Sequence, residues 1–263
     1  MDKVTSLAEA IHLVHDGDTL ALGGMTIYRR PVAFVRALIT SDAPPKDLTL
    51  LAFTGGLAAD MLVGAGLIRR SRTCYFGLET FGLAPMFTQA VHEGRLQVVE
   101  ESEASIACGL RAAVGGVGFI PSRAWLGTDM FSVRPDVTTI CDPYSGEQLT
   151  AFPAISCDVA VIHVLRADHF GNAILGGNPT VDLDLTMVSR RVILTAETIE
   201  EELDGPIDLP GMTVTAVVHV PRGAWPTSCF PAYPIDGETI LDYVSACNAG
   251  QFWDFVSKAW TIR

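Results

Sequence analysis

An unbroken apolar run that ends abruptly in a polar turn constrains this chain more than any other segment. It reads Asp158-Val-Ala-Val-Ile-His-Val-Leu-Arg-Ala-Asp-His-Phe-Gly-Asn-Ala-Ile174. Val159 to Leu165 is rich in β-branched residues and lacks polar/apolar alternation, which predicts a strand covered by helices on both faces. Such strands belong to open α/β sheets, where ligands bind beyond the carboxyl ends. Asp168, His169, Gly171 and Asn172 fall where this strand ends, and Gly171 permits a positive φ or close approach of a ligand. Asp168 and Asn172 are therefore candidate substrate contacts, and an ordinary turn accounts for the same residues.

The rest of the chain alternates helices and strands. Ser6-Leu-Ala-Glu9 has the form of a capping box and opens a helix to about His15. Strands are predicted at Asp18 to Gly23, Leu48 to Phe53, Thr73 to Phe76, Leu96 to Val99, Val192 to Ala196 and Val214 to Val220. Helices fit at Pro31 to Ile39, with Pro31 in the first turn, and at about Leu57 to Ile68, Pro85 to Glu93, Ser102 to Val114 and Thr239 to Ala249. This order predicts one α/β domain over residues 1–263, an open, mainly parallel, doubly wound sheet with right-handed crossovers. Val137 to Asp142 and Gln148 to Phe152, around Pro143-Tyr-Ser-Gly146, interrupt the rhythm with a β-hairpin excursion.

Composition excludes several function classes. The 263 residues are 49% hydrophobic and 18% charged, enough to bury a large core. No window reaches the roughly 18 apolar residues of a membrane helix and the start lacks signal-peptide character, so a cytoplasmic protein without a membrane partner is expected. A net charge of −12 argues against nucleic acid. The six cysteines lack CxxC spacing and read as buried small hydrophobes in a reducing compartment. The six histidines offer no HExxH-like spacing, so no metal is assigned; His163 and His219, within strands, read as satisfied core residues.

Two clusters invite a chemical reading. Gly23-Gly24 follows a strand and precedes Arg29-Arg30 and the helix start at Pro31, an anion-friendly arrangement in which Gly23, Gly24, Arg29 and Arg30 are candidate substrate-binding residues. Arg69, Arg70 and Arg72 read instead as solvated loop charge. Neither Gly23-Gly24 nor Gly55-Gly56 extends to a dinucleotide or phosphate-loop pattern, so both pairs suit close backbone approach. In Val99-Glu-Glu-Ser-Glu103, carboxylates meet a strand end and a helix start, and crowding like charges favours proton uptake, which a general base near neutrality needs. Glu103 at a first helical turn also simply favours the helix dipole, with Ser102 as N-cap.

Three blocks carry a resemblance to family I coenzyme A transferases. Residues 158–172 resemble the family's D-V-A-x-x-H strand followed by A-D-x-x-G-N. Pro221-Arg-Gly-Ala-Trp-Pro-Thr-Ser-Cys-Phe-Pro-Ala-Tyr-Pro-Ile-Asp236 resembles the P-x-G-A-x-P-T-S, Y, D block of glutaconate-type α subunits, and Asp16-Gly-Asp-Thr-Leu-Ala-Leu-Gly-Gly24 resembles the family's D-G-x-x-L-x-x-G-G opening. The stretch Glu100 to Ala113 and the segment Arg29 to Leu38 are similar to an actinobacterial steroid ring-opening hydrolase of the same family, whose α-type subunit carries an essential glutamate. That likeness points to Glu103 or Glu100 as catalytic, Glu103 preferred.

The resemblance implies an α-type subunit that acts on an acyl-coenzyme A thioester as a heteromer with a β-type subunit. Coenzyme A enters as part of the substrate, with no permanently bound cofactor. In two-chain transferases the nucleophilic glutamate lies on the β-type subunit in an S-E-N-G-like setting, and no such motif occurs here. Trp225 stands where the glutaconate type usually has His. Alternatives are hydrolytic carbon–carbon cleavage of a coenzyme A-linked ring with Glu103 or Glu100 as base, decarboxylation on the same fold, and a non-catalytic ligand-sensing domain.

Overall fold

The computed structural model describes residues 1–258. In chain order its elements are β1 (Val4–Thr5), α1 (Leu7–Ile11), β2 (Thr19–Leu22), α2 (Val32–Ile39), β3 (Leu48–Leu51), α3 (Leu57–Gly64), β4 (Ile68–Thr73), α4 (Pro85–His92), β5 (Gln97–Glu100), α5 (Glu103–Val114), β6 (Phe119–Ser122), α6 (Met130–Val133), β7 (Thr138–Cys141), β8 (Gln148–Pro153), β9 (Cys157–Asp168), β10 (Ala173–Ile174), α7 (Asp182–Val188), β11 (Ser189–Glu200), β12 (Ala216–His219), α8 (Gly237–Asn248) and α9 (Phe252–Ser257). Eight strands run parallel in the order β1-β12-β11-β9-β2-β3-β4-β5, and β10 folds back antiparallel on β9. The hairpin forms as β7 against β8, and β6 joins it to make a separate antiparallel sheet.

Alternate residues of the central strands feed two cores. Val159, Val161 and Ile193 pack with α1, α2, α3 and α8 on one face. Ala160, Ile162, Val164 and Leu194 pack with α5 and α7 on the other. Both faces being covered explains the absence of alternation in β9. The chain leaves β2 toward β3, β4 and β5, whereas β9, β11 and β12 build outward on the opposite side. The strand order therefore reverses between β2 and β9, and the crevice beyond their carboxyl ends is where an open sheet of this kind offers a site.

The departures from the sequence expectations have physical reasons. β4 spans Ile68–Thr73 rather than starting at Thr73, because Arg70 and Arg72 look onto a polar cleft and leave little apolar signal. Its arginines are strand residues, not loop charge. Pro31 is the residue before α2 rather than its first member, and α1 stops at Ile11. Cys157, Cys229 and Cys247 are buried as expected, whereas Cys141, on β7, is exposed. Among the described residues no helix is long and apolar enough to cross a membrane.

One carboxylate inside the first core carries structural weight. Asp60 on α3 is wholly buried and accepts hydrogen bonds from the amides of Met86 (3.3 Å) and Phe87 (2.7 Å) and from the Tyr243 hydroxyl (2.7 Å). It thus caps the start of α4 from a distance and ties α8 to both helices. Burial pushes its carboxyl up to about 6, against these hydrogen bonds, which act to lower it. With a native value above the unfolded value of about 3.9, the native state binds the extra proton, so stability falls as pH rises from about 4 through 6. Asp60→Asn, which keeps an acceptor oxygen, is expected to flatten this slope. Melting curves at pH 4.5 and 7.5 should show the wild type losing on the order of 2 kcal/mol more than the variant over that interval.

Candidate active site

The crevice between β2 and β9 is filled by the protein's own side chains. Gly23 donates its amide to Val161 O at 2.9 Å, and Gly24 donates to Asp182 Oδ1 at 2.9 Å, from the first turn of α7. Gly24 has φ +74°, and a Cβ there would meet Tyr28 O at 2.4 Å. The chain then doubles back through Thr26 and Arg29, both at positive φ. Arg29 inserts its guanidinium below this loop. Its Nε donates to Gly177 O (2.9 Å), Nη1 to His163 O (3.1 Å), and Nη2 to Asn178 O (2.5 Å) and Asp182 Oδ2 (2.9 Å).

Arg30 is deeper still, fully buried, its Nη1 on Gly23 O (2.8 Å) and Gly24 O (3.0 Å). Desolvation lowers its guanidinium to about 10 although Asp182 opposes the shift, so it stays charged at neutral pH. Arg29 and Arg30, candidate substrate-binding residues in the sequence, do not face solvent. Both are buried and their polar partners are protein atoms, because the short loop needs internal donors for carbonyls that no water reaches.

Asp168 and Asn172 are also spent on their own turn. Asp168 Oδ1 accepts from the amides of Phe170 and Asn172, both at 2.9 Å, and Oδ2 from Asn172 Nδ2 at 2.6 Å. Asn172 Oδ1 then receives the Gly211 amide at 2.9 Å. Gly171 has φ +88°, and a Cβ would lie 2.8 Å from Val214 Cβ. The motif closes the β9–β10 turn, which extends seven residues past Val161, the partner of Leu22 at the end of β2. It is remote from the glycine turn, and geometry gives these two residues a structural task.

The rim from β2 to β5 holds the acidic block among its loops. Thr26 donates its amide to Thr54 Oγ1 at 2.8 Å, tying the loop after β2 to the loop after β3. Gly56 is required there, since a Cβ would fall 1.8 Å from Thr26 O. Gly55 donates to Tyr75 O at 2.6 Å, which links onward to the segment after β4. At the end of the rim stand the three glutamates. Glu100 ends β5 and Glu103 begins α5, both exposed. Ser102 caps α5, its Oγ accepting from Ser105 N at 3.2 Å and from Trp125 Nε1 at 2.8 Å. Burial pushes the Cys74 thiol, just past the end of β4, up to about 11, and the charge of Glu103 adds to the shift.

Glu101, between the two candidates, is the residue that sequence reasoning missed. It is 6% exposed, its Oε1 lying 2.5 Å from Arg72 Nε and 2.8 Å from Arg134 Nη1. Only the strand phase of β4, hidden by its arginines, could have signalled that partner. The structure thus separates the block into one buried anchor and two exposed carboxylates.

A second buried network lies behind the switch point. His163 Nε2 is 2.7 Å from Glu197 Oε1 and Nδ1 is 2.9 Å from Thr195 Oγ1. Tyr233 donates its hydroxyl to Glu197 Oε1 at 2.5 Å, and the Arg222 amide donates to Oε2 at 2.6 Å. Desolvation lowers His163, keeping the imidazole neutral despite the carboxylate; Nε2 therefore donates to Glu197 and Nδ1 accepts from Thr195. Burial acts to raise Glu197, but its hydrogen bonds outweigh it and the carboxyl is held below its usual range. His163, Glu197 and Cys229 lie within 4.8 Å of one another. Both ring nitrogens and the carboxylate are already satisfied, so the trio serves as a latch that holds residues 222–233 on β9 and β11. His163 is a satisfied core residue as expected, whereas His219 is exposed at the end of β12.

This latch explains the proline-rich block of residues 221–236, which folds over the latch and pairs with the glycine loop. Arg29 donates its amide to Ser228 O at 2.7 Å and Ser228 returns one to Ile27 O at 3.1 Å. The coenzyme A transferase family model matches residues 4–220. The chain belongs to the coenzyme A transferase family. It is 35% identical to a 3-oxoadipate CoA-transferase subunit of Pseudomonas knackmussii, over 90% of this chain and 85% of that one. It is 32% identical to the IpdA subunit of the cholesterol ring-cleaving hydrolase of Rhodococcus jostii, over 96% and 89%. Among solved structures, the decarboxylase AibA/AibB matches with a TM-score of 0.90 at 32% identity, covering 97% of this chain and 98% of that one. Glutaconate coenzyme A-transferase of Acidaminococcus fermentans matches with a TM-score of 0.86 at 28% identity, covering 96% and 86%. The open, mainly parallel α/β sheet and the α-type assignment read from sequence both stand.

If Arg29 and Asp182 form the keystone of the glycine loop, Arg29→Met strands a buried carboxylate. Thermal unfolding is expected to show a loss of about 3 to 5 kcal/mol. A variant as stable as wild type but with weaker binding of an acidic substrate would instead return the guanidinium to the substrate's service.

Proposed function

We propose that this chain is the α-type half of a heteromeric enzyme that acts on an acyl-coenzyme A thioester. The relatives that bear names are designated as subunits of larger enzymes, and the chain aligns with nearly their whole length, which supports a required second chain of β type. The chain carries no S-E-N-G segment. In a thioester exchange the nucleophilic carboxylate would then come from the partner, and this chain would contribute the rim on which the acyl group lies.

A second reading is favoured by Glu103. It is an exposed carboxylate at the carboxyl edge of a parallel sheet, fixed by a capped helix start and two residues from a buried Glu101 whose Oε1 is held by Arg72 and Arg134. Such a group can take a proton from carbon or from a water, as hydrolytic ring cleavage requires, and the likeness to the ring-cleaving hydrolase points the same way. Decarboxylation needs no base at this position, only stabilisation of the charge that develops.

Glu103→Gln in the co-expressed complex tests these readings. As a general base its loss lowers turnover by about 100-fold or more with the melting temperature unchanged. If Glu100→Gln is dead and Glu103→Gln is active, the base is Glu100. If both variants turn over like wild type, the chemistry resides on the partner and exchange is the reaction. The chain expressed without a second chain is expected to be inactive; an active homo-oligomer would overturn the heteromeric assignment.

A further inference from the structure

On the face of β3, β4 and β5 opposite the first core, part of the sheet looks onto an open cleft. A cavity of about 510 Å³ lies there, floored by Thr49, Arg70, Arg72 and Gln97 and walled by Ala154–Ser156 and the segment around Arg134. Its arginines are not equally engaged. Arg134 is saturated, with Asp136 Oδ1 and Oδ2 each at 2.8 Å, Glu101 Oε1 at 2.8 Å and the Glu100 carbonyl at 2.9 Å. Arg72 uses Nε on Glu101, and Arg70 uses Nε on Gln97 Oε1 at 3.1 Å. Among the described residues, the Nη groups of Arg70 and Arg72 have no hydrogen-bond partner.

Arg70 and Arg72 lie two residues apart on one strand face, which spaces their Cα atoms by about 6.6 Å. Each can bind a carboxylate or phosphate through two donors. Glu101 and Asp136 offset only part of the charge of the three arginines, and both are turned to Arg72 and Arg134, which leaves Arg70 without an ionic partner. Keeping strand residues this polar on a sheet face costs apolar burial, and a binding role accounts for that cost.

We propose that this cleft binds a small dianion, a molecule bearing two carboxylate or phosphate groups spaced to meet Arg70 and Arg72. It is separate from the rim that carries Glu103, and the proposal does not depend on the reading of the reaction. Through Arg72, which it shares with Glu101, a bound dianion reaches the anchor of the acidic block.

Calorimetry of the purified protein with sodium pyrophosphate and with succinate, at ionic strength matched by sodium chloride, tests this. Saturable binding of one is expected, and which one responds assigns phosphate or carboxylate as the group recognised. Arg70→Gln is expected to weaken it at least about 10-fold, through loss of a charge-assisted contact. Arg69→Gln, exposed on the other side of the same strand, should bind within twofold of wild type. Should Arg70→Gln fail to fold, Arg72→Lys, which keeps the charge facing Glu101 but loses the fork, is expected to show the same weakening. The proposal is overturned if neither probe binds saturably, if the cleft variant binds like wild type, or if Arg69→Gln loses as much affinity.

Discussion

The buried ion pair of Arg29 with Asp182 organises the carboxyl edge of this sheet. A crevice at a strand-order reversal is an unfilled space lined by the ends of peptide chains, and here one guanidinium closes it by serving the carbonyls of three residues from two separate segments at once. A buried pair of this kind need not add net stability relative to an apolar filling, but removal of one partner leaves a charge without compensation. The glycine turn, the loop pairing with Ser228 and the start of α7 all take their positions from it. Arg30 beneath it is held by the carbonyls of the same turn, so two adjacent cations are buried with Asp182 close by.

Much of this was legible in the residues. The apolar run of β9, the capping box at Ser6, the glycine pairs and the hairpin around Gly146 each follow local rules, and each formed where those rules put it. What stayed hidden depends on long-range pairing. Nothing adjacent to Arg29 in sequence announces Asp182, and nothing near Glu101 announces Arg72 or Arg134. Residues with a polar side chain at a glycine-rich turn look the same in sequence whether the turn holds a ligand or itself, as Asp168 and Asn172 illustrate. β4 was misplaced because a strand facing a polar cleft loses the apolar face by which strands are recognised.

The candidate site was legible in part for the same reason. The acidic block was visible as a cluster, and its position at a strand end and helix start was correct. The division of labour within it was not, since it rests on which of three closely spaced side chains turns inward under the helix. Backbone alternation at the end of β5 decides that, together with two arginines from distant elements. Glu100 and Glu103 are left facing outward because Glu101 turns in.

Gly56 and its contact with Thr26 carry a consequence beyond packing. The connections after β2, after β3 and after β4 are each fastened to the next by a hydrogen bond, Thr26 to Thr54 and Gly55 to Tyr75. Moving any one of these loops away from its neighbour therefore breaks a hydrogen bond.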